Sequence, residues 1–193
     1  MIFRKIKYFN FQKTIYNAYI YIQNLKMKKS IILLLSLVIL SCSQQPSQEC
    51  QTLETANVNL EKNIEMYVSV WKNLFEKRDI ELINIDSFDP QATVVTAQGD
   101  IVGIDAFRAY YNNYLSGFSD AQFEIVDIFG QGDKIVKHWT FKGTHDGEMF
   151  GIPATNNTVE ISGTTLIWMK DGKILKEQDY FDNHSFLTQL GLL

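Results

Sequence analysis

The apolar positions between residues 63 and 193 follow first a helical pattern and then a strand-like one. In 63–79 and again in 104–118, apolar side chains recur every three or four residues, which predicts two amphipathic helices. A hairpin turning at Gly99-Asp100 is expected between them. Four strand-like segments follow before the last helical turns: 121–129, 133–143, 158–170 and 173–182.

Helices followed by a run of antiparallel strands indicate the α+β class. We expect one domain over residues 55–193, built as a conical, curved antiparallel sheet with the helices packed on its concave side. Such a cup holds small ligands in a space lined by apolar and aromatic groups with a few polar ones. The predicted partner is therefore a small, largely apolar molecule.

The chain before this domain has the pattern of a targeting segment. Residues 27–41 begin with Met27 followed by Lys28 and Lys29, continue in an apolar run and end just before Cys42. These are the parts of a secretory signal. The end of the run resembles a bacterial lipobox, which implies cleavage before Cys42 and attachment of lipid there. An uncleaved anchor or a plain secretory signal is the alternative.

Two further segments complete the N-terminal prediction. Residues 42–54 are polar and are expected to form a flexible tether that keeps the domain in the cell envelope, outside the cytoplasm. Cys50 has no second cysteine in the domain with which to form a disulfide. Residues 1–26 are expected to be an extension upstream of the true start at Met27, with a long basic start of the signal as the alternative.

Charge and ligand-type residues narrow the function classes. Residues 1–42 contain seven basic and no acidic side chains, whereas the remainder carries 11 basic and 22 acidic ones. An acidic domain repels the phosphate backbone, so no nucleic acid partner is expected. The histidines and cysteines show no metal-binding spacing, and we expect neither a metal nor a cofactor.

A set of short motifs runs through the second half of the chain: 132–134, 139–140, 143–145, 147–148, 151–153, 171–173, Asp182 and 189–191. Together they resemble the SnoaL-like polyketide cyclases, also called ester cyclases. The resemblance covers nearly all of 55–193 and implies the nuclear transport factor 2-like cone. It says less about the reaction, because this fold hosts isomerases, dehydratases, cyclases and binding proteins.

Asp182 is the candidate catalytic residue. The resemblance implies that it acts as a general acid and base, as an aspartate does in the aldol ring closure of these cyclases. The alternative is an N-cap, because Asp182 directly precedes the last helical segment. The cyclases have a histidine near Trp168, and an indole has no acid/base function. A non-catalytic ligand-binding or dimerisation module is therefore the second hypothesis.

The turn before the last strand decides which side chains lie on the same face as Asp182. A two-residue loop, 171–172, would put Trp168 and Asp182 on opposite faces of the sheet. A three-residue loop, 170–172, puts them on one face, and we favour it. Asp179 then faces outwards. The favoured register predicts four side chains on the face of the ligand site: Trp168, Gln178, Tyr180 and Asp182.

Four other residues are expected to contact the ligand. Tyr67 and Trp71 lie four apart on one helical face, where they either close the cup or simply pack in the core. His145 and Phe150 lie in a glycine-rich loop that either covers the opening or forms a tight turn.

The favoured register also predicts an apolar outer face of the sheet, which suggests a homodimer. The side chains expected there are Ile161, Ile167, Leu175 and Phe181.

Overall fold

The computed structural model describes residues Ile20, Tyr21, Gln23 and 47–193. The chain divides into two compact units, Met1–Gln51 and Thr52–Leu193, and the second contains the sheet. The predicted signal at 27–41 and the predicted lipidation site Cys42 lie outside the described residues, as does most of 1–26. Within the described part, no helix combines the length and apolar character needed to cross a membrane.

Residues 47–193 form three α-helices and six strands, and this content confirms the α+β class. The helices are α1 (Gln48–Lys77), α2 (Ile104–Gly117) and α3 (Asn183–Gln189). The strands are β1 (Phe88–Thr96), β2 (Gly99–Val102), β3 (Gln122–Gln131), β4 (Lys134–Thr144), β5 (Thr158–Lys170) and β6 (Lys173–Phe181). The first helix is longer than predicted, so residues 48–54 of the expected tether are helical.

The six strands form one curved sheet in the order β2-β1-β6-β5-β4-β3. Every neighbouring pair is antiparallel except β1 and β6, which run parallel, so the sheet is mixed. The register shifts once in each of the pairs β1–β6, β3–β4 and β5–β6. Irregularities of this kind bend strands, which helps the sheet to curve around the helices.

The concave face of the sheet is covered by α1 and α2. Both helices bury the apolar stripe that their spacing predicts, because these side chains are removed from water against the inner sheet residues. The largest buried side chains of this core include Tyr67, Trp71, Leu74, Phe88, Phe107, Ile135 and Ile167. Helices on the concave side are thus confirmed.

The hairpin between β5 and β6 corrects the predicted register. Lys170 pairs with Lys173 across a two-residue turn, and both turn residues, Asp171 and Gly172, have positive φ angles of 50° and 76°. Positive φ at both positions is typical of the tightest hairpins. The predicted three-residue loop is therefore wrong. A β-bulge at Leu175 then adds the residue that the turn lacks.

Because of this bulge, Trp168, Gln178 and Tyr180 share one face of the sheet, as predicted. That face is the outer one, whereas the prediction had placed it towards the ligand site. Beyond the bulge, Trp168 pairs with Lys176 and Ile167 pairs with Glu177. Ile167 is only 1% exposed and belongs to the core, whereas Tyr180 is 52% exposed. The face of Ile167 and Phe181 is therefore the inner one.

Two expectations change as a consequence. Asp179 was expected on the outer face and instead lies on the inner face, two residues after the buried Glu177. Ile161, Ile167 and Phe181 are likewise inner-face residues, and β-strand alternation leaves no other side for them once Ile167 is buried. The apolar outer face on which the homodimer prediction rested is not formed by these residues.

Candidate functional site

A group of polar side chains lies on the inner face where β4, β5 and β6 run side by side. The strand register places Lys137 opposite Thr165 and Thr165 opposite Asp179. Glu177 precedes Asp179 by two residues and points to the same side, and Tyr111 of α2 reaches both carboxyl groups. We call these five residues the inner cluster.

Glu177 is completely buried, and each of its carboxyl oxygens has a partner. Trp71 donates from Nε1 to Glu177 Oε1 over 3.1 Å, and Tyr111 Oη lies 3.1 Å from Oε2. Burial raises the pKa of Glu177 to about 7, although the nearby Lys137 charge acts to lower it. Removal from water disfavours the ionised carboxylate. The protonated form of Glu177 is therefore favoured up to a higher pH than in an exposed glutamate.

The hydroxyl of Tyr111 bridges the two carboxyl groups. It lies 3.1 Å from Glu177 Oε2 and 3.0 Å from Asp179 Oδ2. A phenol has one proton to donate, so it satisfies both contacts only when one of the carboxyl groups is itself protonated. Burial raises the pKa of Tyr111 well above its usual value, which keeps the phenol protonated. Tyr111 thus joins the two carboxyl groups in a three-group hydrogen-bond relay.

Asp179 forms the accessible end of this relay. The hydroxyl of Thr165 donates to Asp179 Oδ1, and Trp139 Nε1 in turn donates to Thr165 Oγ1 over 3.0 Å. These contacts fix the orientation of the carboxyl group. Asp179 also lines two cavities, whereas Glu177 lines neither of them.

Lys137 places a buried ammonium beside these carboxyl groups. Its side chain is 2% exposed, and Nζ lies 4.5 Å from the centre of the Trp71 ring and 5.1 Å from those of Tyr67 and Phe123. Cations are attracted to the faces of aromatic rings. Burial lowers the pKa of Lys137, and the charges of Glu177 and Asp179 oppose this shift.

Two connected spaces lead to the inner cluster. The inner cavity is about 40 Å³ and is bordered by aromatic rings together with Lys137 and Asp179. A groove of about 910 Å³ continues outwards between the β1–β2 hairpin, the 149–152 loop and α3. The two spaces share three lining residues: Tyr114, Asp179 and Phe181. A ligand larger than a few atoms would lie mainly in the groove and reach Asp179 with one end.

Four of the predicted ligand contacts border these spaces. Trp71 lines the inner cavity, and Phe150, Gln178 and Tyr180 line the groove. Tyr67 is buried behind Trp71, and its hydroxyl has no hydrogen-bond partner among the described residues.

The other three predicted residues line neither space. Asp182 is exposed and is the N-cap of α3, where it accepts a hydrogen bond of 2.9 Å from the Ser185 backbone N–H. Trp168 lies on the outer face, with Lys176 Nζ 5.8 Å from its ring centre. His145 is buried in its loop, and Nδ1 accepts from the Thr155 backbone N–H over 3.3 Å.

Sequence reasoning missed Glu177, Asp179, Lys137, Thr165 and Tyr111. One signal was available. Lys137 lies on the same face of β4 as Ile135, Trp139 and Phe141, and this face otherwise buries apolar side chains. A charged residue at such a position is almost never fully buried without a partner. Within the described residues, no group of three or more histidine, cysteine or carboxylate side chains is placed to hold a metal ion.

The sequence model of SnoaL-like polyketide cyclases matches residues 64–190, about two thirds of the chain, which include the whole sheet, α2, α3 and the second half of α1. The chain belongs to the SnoaL-like polyketide cyclase family. All five residues of the inner cluster lie within the matched range. Comparison with curated protein sequences gives no match.

Solved structures with the same fold support this placement. A candidate SnoaL-like polyketide cyclase from Jannaschia sp. CCS1 has a TM-score of 0.64 at 17% identity, covering 78% of this chain and 99% of its own. AclR, a candidate hydroxylase from Streptomyces galilaeus, has a TM-score of 0.59 at 21% identity, covering 69% and 83%. TerC, co-crystallised with polyporic acid, has a TM-score of 0.55 at 20% identity, covering 67% and 98%. At these identities the likeness concerns the fold.

Proposed function

We propose that this SnoaL-like domain binds a small, largely apolar organic molecule in the groove and transfers a proton to or from its inner end through Asp179. The observation that carries the proposal is the Tyr111 hydroxyl, which joins the cavity-lining Asp179 to the buried Glu177. Asp179 takes the acid/base role that the sequence suggested for Asp182, because Asp182 caps a helix at the surface.

The relay gives Asp179 a way to act both as base and as acid. When Asp179 removes a proton from a C–H group of the ligand, the two carboxyl groups share the added proton through Tyr111. The same proton can return to a different atom of the ligand. A general acid/base works best when its pKa lies near the working pH, and the pKa of Glu177, about 7, meets this condition for the relay.

The walls of the site favour an apolar and aromatic ligand. The inner cavity is bordered mainly by rings, among them Phe75, Tyr114, Phe123 and Phe141. Aromatic walls with a few polar groups are typical of small-molecule sites. The co-crystallisation of the structural neighbour TerC with polyporic acid supports a small organic molecule as the ligand class.

The experiment uses acetophenone, an aromatic ketone with acidic methyl hydrogens, as the probe. Saturation-transfer NMR reports binding, and the loss of the methyl proton signal in D₂O reports proton transfer. We expect wild-type protein to bind acetophenone and to accelerate exchange. Asp179→Asn should bind the ketone but lose the acceleration, because the amide cannot accept a proton.

Asp182→Asn is the matched control, since it makes the same chemical change at an exposed cap and asparagine caps helices as well as aspartate does. It should retain exchange. Equal exchange rates in wild type and Asp179→Asn would contradict the proposal, and so would a loss of exchange in Asp182→Asn alone.

A non-catalytic ligand holder is the second candidate function. The small volume of the inner cavity, about 40 Å³, favours it because little of a ligand can approach Asp179 directly. This alternative predicts binding of acetophenone without accelerated exchange in any variant.

The cellular location belongs to the proposal as well. We place the domain in the cell envelope, tethered by lipid on Cys42, on the strength of the apolar run and lipobox-like ending at 27–42. Metabolic labelling with a fatty acid should mark the wild-type protein and not Cys42→Ser. Equal labelling of both would contradict lipidation at this residue.

A further inference from the structure

The proton relay does not use Lys137, although this lysine is the only cation that borders the inner cavity among the described residues. Burying an ammonium is costly unless it is paired and hydrogen-bonded. Lys137 Nζ forms no ion pair within 4.0 Å and no hydrogen bond to any of the described residues. A buried amine without an ion-pair or hydrogen-bond partner, at the wall of a cavity, has hydrogen-bonding capacity available to a ligand and, in its neutral form, a lone pair.

The surroundings of Lys137 also hold Nζ in one place. Trp71, Tyr67 and Phe123 present their rings to it from α1 and β3, at 4.5 to 5.1 Å. Asp179 faces the same cavity from β6, with Thr165 between Asp179 and Lys137 in the strand register. An amine, a carboxyl group and an apolar cavity are thus brought together.

Such surroundings are those in which lysines act as nucleophiles. An amine attacks a carbonyl carbon only when it is neutral, and removal from water favours the neutral form. The direction of the pKa shift of Lys137 agrees, because burial lowers it. Exposed lysines such as Lys142, on the same strand, lack this advantage because their ammonium group stays hydrated.

We propose that Lys137 forms an imine with the carbonyl carbon of a small aldehyde or ketone bound in the inner cavity, with Asp179 carrying the protons. This inference rests on the proposed function, since it uses the same cavity and the same carboxyl group. It names the substrate class as carbonyl compounds and adds a nucleophile to the acid/base relay.

The step is balanced without an oxidant or reductant. The lone pair of neutral Lys137 Nζ forms the N–C bond, and the π electrons of the carbonyl move to its oxygen. Asp179 first takes a proton from the attacking nitrogen and returns it to the oxygen, which gives a carbinolamine. It then carries the second N–H proton to the hydroxyl group, which leaves as water with its bonding electrons while the nitrogen lone pair forms the C=N bond. The products are one imine and one water molecule.

The test is trapping with propanal, an aldehyde of few atoms that suits the inner cavity, and cyanoborohydride as the hydride donor. The full-length chain is treated at neutral pH, and labelled lysines are identified by peptide mass spectrometry. We expect Lys137 to be alkylated at least about tenfold faster than Lys142 in the same sample, because the neutral amine is the nucleophile. Lys137→Arg should remove this fast label and leave the labelling of Lys142 unchanged.

Asp179→Asn supplies the second arm, because it should slow the labelling of Lys137 without affecting Lys142. Circular dichroism of each variant checks that it is folded. Labelling of Lys137 no faster than that of Lys142 would overturn the proposal, and so would equal labelling of Lys137 in wild type and Asp179→Asn. If Lys137 is not labelled but exchange of acetophenone still depends on Asp179, the imine proposal fails while the proposed function stands. If that exchange is also absent, both fail.

Discussion

Replacing Glu177 by glutamine should change how the stability of the domain depends on pH. In the folded chain burial raises the pKa of Glu177 from 4.5 to about 7. The folded state therefore binds more protons than the unfolded state between these two values, and stability falls as pH rises through this window. The contribution of protonated Glu177 to the stability of the folded state is fully present below pH 4.5 and is lost above about pH 7.

The size of this effect follows from the shift in pKa. Each pKa unit corresponds to about 1.4 kcal/mol, so the move from 4.5 to about 7 corresponds to a loss of about 3 kcal/mol in the free energy of unfolding. Glutamine is neutral throughout and escapes this loss. It also changes the hydrogen bonds to Trp71 and Tyr111, at a cost of about 1 kcal/mol. Glu177→Gln should thus be less stable than wild type by about 1 kcal/mol at pH 4.5 and more stable by about 2 kcal/mol at pH 8.

Urea denaturation of the full-length chain at half-unit steps from pH 4.5 to 8 measures the effect. The other ionisable groups facing Glu177 are Tyr67 and Tyr111 from the helices and Lys137 and Asp179 from the sheet, and all four are present in both proteins. Subtracting the two pH profiles therefore removes the contributions common to both proteins and leaves those that depend on Glu177 and its coupling to these groups. Parallel profiles with a constant difference would refute a raised pKa at this residue.

Three further outcomes are expected from the inner face and from the last helix. Lys137→Met should raise the pKa of Glu177, because the charge of Lys137 lowers that pKa in the wild type. An NMR titration of the Glu177 carboxyl carbon would show the shift. An unchanged titration would argue against coupling between Lys137 and Glu177. Gly163→Ala should destabilise the domain by about 1–3 kcal/mol in thermal denaturation, because the new Cβ would lie 2.4 Å from Cζ2 of Trp139. The control is Ser162→Ala, which changes the exposed neighbouring residue. Asp182→Ala should cost about 1 kcal/mol in urea denaturation and Asp182→Asn almost nothing, whereas equal stability of all three proteins would contradict the cap.

The sequence was sufficient for the architecture because periodicity reports burial over many residues at once. The stripes of α1 and α2 and the alternating strands predicted the α+β fold correctly. The parallel pairing of β1 with β6 was not predicted, since it joins strands about 80 residues apart and leaves no local mark.

The candidate site was harder to predict because it depends on single residues of register. The motifs at Asp171-Gly172 are compatible with either loop length, and the bulge at Leu175 has no turn-like composition. Sequence alternation grouped Gln178 with Tyr180 and Phe181 with Ile167 correctly, but it does not say which group faces inwards. The burial of Ile167 and Glu177 decides the side, and burial depends on what α1 and α2 bring against the sheet.

The bulge at Leu175 also decides which side of β6 faces the helices. If Leu175 paired with Trp168 as in a regular hairpin, every later position of β6 would shift by one, so that Gln178 and Tyr180 point at the helices and Asp179 points into solvent. Straightening the bulge would therefore turn the strand inside out without changing any side chain of the relay. Deleting Leu175, by contrast, removes the extra residue and leaves Lys176 opposite Trp168 and Glu177 opposite Ile167. For the evolution of this domain, the bulge and its one extra residue must be kept together or lost together, which is as strict a requirement as the identity of the carboxyl groups themselves.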